Sequence, residues 1–403
     1  PEVVRKAFKI AETEKPGPTH IELPEDVAAR RVAENRPLTV TPVEYPRPAD
    51  HAIQTAAELI AGAERPMILA GNGVVRRRAS FDLRRFAETA GIPAANTFMS
   101  KGVMGYQNPL ARLTVGLQNR DYEMCGLADA DVVIAVGYDL VEFAPRLWNG
   151  GRDKTVIHID TLPAEVDEHY QPAVEIVSEI GEALRILTAS EDFRLESSVL
   201  AELEAYAAAN EVPLKPQRIL HDMREILHEG DVLISDVGVH KLWIARLFPA
   251  ADPNTVIISN GFATMGIGLP GGIAAKLARP RCRVVVVSGD GGFLMNIQEL
   301  ETARRLGLSF VTVVWVDGGY GSIRWKQEAR FGRSFGVDFG NPDFIKLGQA
   351  FDIPAFQIET ADDFAKALRQ ALTLDGPSVI AVPVDYTENH RLTETLGEVQ
   401  ISM

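Results

Sequence analysis

A chain of 403 residues is long for one domain; at about 150 residues each, two to three are expected. Its balance of 46 % hydrophobic to 24 % charged residues is that of an ordinary globular protein with material for packed cores. The net charge of −14 argues against nucleic acid or an anionic membrane as main partner, because a Lys/Arg excess supplies most of that affinity. No run approaches the ~18 apolar residues of a membrane span, and no basic-then-apolar leader opens the chain. Two cysteines, Cys125 and Cys282, are too few for a disulfide framework or a cysteine metal site. These features predict a cytoplasmic protein.

In chain order, Val3 to Ile10 reads as a helix already under way at Pro1, which implies sequence upstream. Thr19 to Leu23 alternates like a strand and ends at Pro24. This first block, 1–43, is too small to close a core alone. Prolines 37, 42, 46 and 48 mark a linker. Over 44–188 helices (Ala52 to Ala63, Phe81 to Ala90) alternate with apolar strands (Met67 to Ala70, Asp131 to Gly137, Thr155 to Asp160). Residues 189–216 read as a polar, helical linker. The scheme then repeats over 217–388, with strands at 232–235, 256–259, 283–288, 310–316 and 379–384, followed by a tail, 389–403. Apolar strands alternating with helices predict two doubly wound, mostly parallel α/β domains.

Two consecutive strands of the second unit end in acids. Val284 to Ser288 runs into Gly289-Asp290-Gly291-Gly292, and Phe310 to Val316 runs into Asp317-Gly318-Gly319-Tyr320-Gly321. Ligands of open α/β sheets sit beyond the carboxyl ends of strands. Two carboxylates among backbone-exposing glycines suit a hard cation such as Mg²⁺ together with a phosphate. The bland alternative is a pair of solvated strand caps. A rival motif, Gly266-Ile267-Gly268-Leu269-Pro270-Gly271, matches G-x-G-x-x-G, with Asp290 about 20 residues on, and would suggest an NAD-dependent dehydrogenase. Residues 260–265 separate it from the preceding strand, and it leaves Asp317 unexplained.

Gly-Asp-Gly followed by a second acid at the next strand end resembles the signature of thiamine-diphosphate enzymes. Ser259 to Gly266, Gly291 to Glu301, Asp338 to Asp343 and Val382 to Tyr386 extend that resemblance to the acetolactate synthases along nearly the whole chain. The resemblance implies three blocks: the tail of a pyrimidine-binding domain, a central domain and a diphosphate-binding domain. It implies Asp290, Asp317 and the Gly319 carbonyl as Mg²⁺ ligands. Thiamine diphosphate would lie against Val237, Gly238, His240, Gly289, Gly291, Gly292, Tyr320 and Gly321. Met265 would wedge beneath the bent cofactor, and the Ala263 carbonyl and Met265 amide would pair with its aminopyrimidine.

The implied reaction joins two pyruvates into 2-acetolactate with loss of CO₂. Another thiamine-diphosphate decarboxylase or carboligase, or a non-catalytic cofactor-binding relic, stays open. Arg324 and Lys326, just past the metal loop, are candidates for a substrate carboxylate, with an exposed helix start as the plain alternative. Val136 to Phe143, Asp167 to Pro172 and Asp385-Tyr386 resemble the FAD-independent, catabolic form, so FAD is not expected. The family's activating Glu belongs to the pyrimidine domain and has no match here; neither Glu22 nor Glu25 is a substitute. The family pairs subunits around the cofactor, which implies a homodimer or homotetramer for the full-length enzyme and an inactive isolated chain.

Overall fold

The computed structural model describes residues 1–31, 36–116, 120–188, 203 and 205–389. Most of the expected 189–216 linker, and all of the 389–403 tail except Asn389, lie outside the described residues. Two six-stranded sheets organise the chain, and every strand pairing in them is parallel.

The first sheet holds β1 (Pro66–Ala70), β2 (Ala94–Thr97), β3 (Ala111–Val115), β4 (Val132–Val136), β5 (Thr155–Asp160) and β6 (Val174–Val177) in the order β3-β2-β1-β4-β5-β6. The second holds β7 (Val232–Ser235), β8 (Val256–Ile258), β9 (Val284–Gly289), β10 (Val311–Val316), β11 (Ala355–Gln357) and β12 (Ser378–Pro383) in the order β11-β12-β10-β9-β7-β8. Strand order reverses between β1 and β4 in one sheet and between β7 and β9 in the other, and each reversal leaves a crevice at the strands' carboxyl ends.

The valine runs are continuous because both sheet faces are covered. Val285, Val287, Val311, Val313 and Trp315 pack into one core, and Val284, Val286 and Val314 into the core on the opposite face. Each fully buried side chain of this size contributes about 1.5–3 kcal/mol. Truncating the wholly buried Trp315 to alanine is expected to cost about 3–5 kcal/mol.

Thr19 to Leu23, expected as a strand, carries no ladder; its residues are exposed and no described strand lies beside them. The helix at the amino end does form, over Glu2–Glu12, with no buried residue. The two sheet units meet at the helix Val239–Leu247 and at the segment after it, where Tyr106 N–H donates to the Ala250 carbonyl at 3.1 Å and Arg84 to the Ala251 carbonyl at 3.1 Å. Lys101 Nζ donates to the Ala245 carbonyl at 2.8 Å, and Arg246 pairs with the fully buried Asp121. The carboxyl end of that helix is thus pinned to the first unit, while its amino end faces the crevice of the second.

Candidate active site

The crevice of the second sheet is an open cleft lined from three strand ends. Val237, Gly238, Val239 and His240 follow β7; Gly289, Asp290, Gly291 and Gly292 close β9; Asp317, Gly319, Tyr320, Gly321, Ser322 and Ile323 follow β10. Met265 and Tyr386 complete the wall. Parallel pairing of β9 with β10 sets Trp315 against Gly289, which carries the two acids to neighbouring strand ends.

Asp290 is 1 % exposed and is held by backbone donors and one side-chain amide. Its Oδ1 accepts from Gly291 N–H at 2.8 Å. Its Oδ2 accepts from Gly318 N–H at 2.8 Å, Asp317 N–H at 3.2 Å and the Asn341 amide at 2.7 Å. The 317–319 loop is therefore folded onto Asp290. Gly318 sits in the left-handed region at φ 67°, where glycine is unstrained. Burial and the neighbouring Asp290 push Asp317 up to about 6. Two carboxylates repelling across a small gap want a cation between them. Among the described residues no three His, Cys, Asp or Glu side chains gather as a metal site. The available set is two carboxylates and a backbone carbonyl, which suits Mg²⁺ completed by phosphate oxygens and water.

The opposite wall suits the phosphate. His240 is 1 % exposed, burial pushes its pKa down to about 4, and among the described residues its Nε2 has no hydrogen-bond partner. A buried, unsatisfied ring nitrogen beside a cleft fits a ligand oxygen. Two of the glycines are closely confined. A Cβ on Gly238 would fall 2.7 Å from the His240 ring, and one on Gly291 would fall 3.1 Å from both Tyr320 and Phe339.

Beneath the cleft, Asp236 is wholly buried and accepts four donors. They are Val237 N–H (2.6 Å), Gly266 N–H (2.9 Å), Gly268 N–H (3.1 Å) and the Ser288 hydroxyl (2.9 Å). It joins the end of β7, the 260–268 loop and β9. It also answers the dinucleotide motif. Gly268 opens the helix Gly268–Ala278, and the anion position at that amino end, where a pyrophosphate would lie, is taken by the Asp236 carboxylate.

Not every expected residue reaches the cleft. Ala263, at φ 44°, stands two residues before Met265 on the same loop but does not line the wall. Between them and the strand, Phe262 is fully exposed at the loop tip. Arg324, expected at a substrate carboxylate, is turned elsewhere: Nη1 lies 3.3 Å from Asp317 Oδ2 and Nη2 2.7 Å from Asp338 Oδ1. Lys326 does not line the wall either. Asp236, Asn341 and Tyr386 were not among the cofactor or metal residues that the sequence reading named, nor were the lining residues Ser322 and Ile323. Asn341 and Tyr386 lie in stretches that carried the resemblance, which was the available signal. Asp236 follows an apolar strand like the other two acids, and only its place as a strand-end acid could have marked it.

The first sheet's crevice is filled. Asn72 N–H donates to both Glu142 oxygens at 3.1 Å, and the Thr97 hydroxyl donates to Oε2. After β1, Gly71 leads into a short helix, Asn72–Arg76. Tyr138, Trp148 and Tyr170 pack edge to face beside it, all buried.

Residues 236–382 match the thiamine pyrophosphate enzyme C-terminal TPP-binding domain, and residues 53–187 match the central domain of the same enzymes. Fold and cleft together define a thiamine pyrophosphate enzyme. Acetolactate synthase of Bacillus subtilis is 33 % identical over 97 % of this chain and 71 % of its own length. Catabolic acetolactate synthase of Raoultella terrigena is 35 % identical over 100 % and 74 %. A solved X-ray structure from Mycobacterium smegmatis shares the fold, with a TM-score of 0.80 at 21 % identity, covering 95 % of this chain and 73 % of that one. The chain belongs to the acetolactate synthase family.

Proposed function

We propose that this chain carries the diphosphate-and-metal half of an acetolactate synthase site acting on pyruvate. One observation carries the reading: an unsatisfied buried imidazole, a glycine cradle and two opposed carboxylates meet in a single cleft. Asp290, Asp317 and the Gly319 carbonyl would hold Mg²⁺. His240 Nε2 and the Gly291 and Gly292 amides would hold the diphosphate, with Val237, Gly238, Gly289, Tyr320 and Gly321 closing around it. Met265 offers an apolar surface under the cofactor, and the Ala263 carbonyl and Met265 amide its pyrimidine contacts.

When bound, thiamine diphosphate supplies the electron sink that decarboxylation of a 2-oxo acid needs. In the net reaction the C1–C2 bond of one pyruvate breaks, CO₂ leaves, and that C2 joins the C2 of a second pyruvate, whose carbonyl oxygen takes a proton. The chain's part is to orient the cofactor and exclude water. Lys326 is the candidate for the substrate carboxylate. It lies one helical turn beyond the lining residues Ser322 and Ile323, and burial lowers its pKa.

Among the described residues Asp290 and Asp317 are the only carboxylates that line the cleft, and both are read as metal ligands. The acid that activates the aminopyrimidine is therefore assigned to another part of the full site, and the chain on its own is expected to bind cofactor without turning over pyruvate. Glu142 favours the FAD-independent reading, since a carboxyl group already takes the donors at the first sheet's crevice. The enzyme would work as a homo-oligomer.

Calorimetric titration with thiamine diphosphate, with and without Mg²⁺, tests the binding half. Metal-dependent binding is expected, and a chain that ignores both would sink the proposal. Acetolactate formation from pyruvate by the chain alone would overturn the division of labour.

A further inference from the structure

We infer that Arg324 is a positioning residue that presets the metal half-site by holding Asp317 and closing the segment around it; this rests on reading Asp290, Asp317 and Gly319 as the cation's ligands. Residues 318–320 run antiparallel to 337–339. Tyr320 N–H donates to the Val337 carbonyl at 2.8 Å, and Phe339 N–H donates to the Gly318 carbonyl at 3.1 Å, with Gly319 opposite Asp338. Two backbone bonds across so short a pairing are a weak clip. The guanidinium of Arg324 is the third tie. It lies directly over Gly319, where a Cβ would fall 2.0 Å from Nη2 and 2.9 Å from Cζ. One arm reaches Asp317 Oδ2 at 3.3 Å and the other Asp338 Oδ1 at 2.7 Å.

The geometry separates this role from two others. A substrate-binding arginine would offer its nitrogens to the cleft, whereas Nη1 and Nη2 here are engaged by carboxylates on either side of the clip. A surface ion pair would join two exposed chains, whereas Asp317 is 11 % exposed and Arg324 26 %; the second arm ends on Asp338, which is 75 % exposed. A planar fork engaging two acids fixes direction as well as charge, which a lysine ammonium does not. Arg324 thereby fixes one oxygen of Asp317, and its tie to Asp338 keeps Gly319 opposite the partner strand. Partners that orient a metal ligand typically change metal affinity about 10–100-fold when removed.

The test uses the full chain with R324Q, R324K, D338N and D317N, titrated with Mn²⁺ in the presence of thiamine diphosphate and followed by electron paramagnetic resonance. R324Q is expected to weaken Mn²⁺ binding about tenfold, D338N less, and R324K to recover only part of the loss. In metal-free protein, amide exchange at Tyr320 and Phe339 should be faster in R324Q than in the wild type. Equal or tighter Mn²⁺ binding by R324Q would make the arginine a bystander or a competitor and overturn the inference, as would unchanged exchange at both amides. D317N separates the two levels: if it binds Mn²⁺ as the wild type does, or if the wild type binds none, the ligand assignment itself fails.

Discussion

The two sheets are built on the same plan and put their crevices to opposite use. Each is six-stranded and parallel, each reverses strand order near its middle, and each has a glycine-containing loop at the reversal. In the first, Glu142 and an aromatic trio fill the space from within. In the second, the glycines carry no side chain to do so, and His240 is left with a buried nitrogen and, among the described residues, nothing to bond. The topology makes a crevice in both cases. Whether it becomes a site depends on the few residues after each strand.

The largest expected effect falls on the open crevice. D317N removes a metal-ligating charge, and Mg²⁺-dependent affinity for thiamine diphosphate should fall on the order of 100-fold or more, read by calorimetry, while thermal stability is kept or raised. Loss of fold together with affinity would break the contrast between site and scaffold. The converse substitution is G71A. Its Cβ would lie 2.4 Å from the Gly137 carbonyl, a backbone contact that cannot swing away. A stability loss of about 2 kcal/mol is expected in denaturant melts, with cofactor affinity intact in the folded fraction.

Glu142 gives the plugged crevice a pH signature. Burial raises its pKa from 4.5 to about 7, against the lowering pull of Thr97 and Asn72. A group raised in the folded state stabilises fully below its unfolded value, and that contribution is lost as pH rises through the folded one. Wild-type stability should therefore decline between about pH 4.5 and 7 by roughly 2 kcal/mol more than that of E142Q, measured by urea unfolding at several pH values. Parallel profiles would remove Glu142 from the explanation. The smallest effect is expected for N341A. It takes one of the donors from Asp290 Oδ2 and should weaken metal-cofactor binding about tenfold at most; an unchanged calorimetric affinity would show that the backbone donors suffice.

Much of this contrast was legible along the chain, for a physical reason. Strands β1, β4, β5, β7, β9, β10 and β12 are buried on both faces, so they read as mostly apolar runs, with His158 in β5 and Thr312 in β10 among the polar exceptions. β2 (Ala94–Thr97) did not, because two of its four residues are polar and meet partners at the strand end: Asn96 donates to the Thr114 hydroxyl at 3.1 Å, and Thr97 donates to Glu142. β6 and β11 are short edge strands with exposed positions, which leave no pattern. In the second crevice, Gly289 to Gly292 and Asp317 to Gly321 are local strings and could be read as such. Asn341 and Tyr386 enter from segments far along the chain, and the role of Asp236 lies in four donors from three places. A buried polar side chain of that kind has no periodicity to betray it.

Asp236 also bears on how tightly the cleft can grip. Loops that order only when a ligand arrives subtract their lost freedom from the affinity, often by more than 0.5 kcal/mol for each immobilised side chain. Here the backbone just after Met265, the turn after β7 and the strand leading to Asp290 are already drawn onto one carboxylate. Their ordering is incurred at folding, so the cradle meets a diphosphate preorganised, and little of the binding free energy is consumed in shaping it.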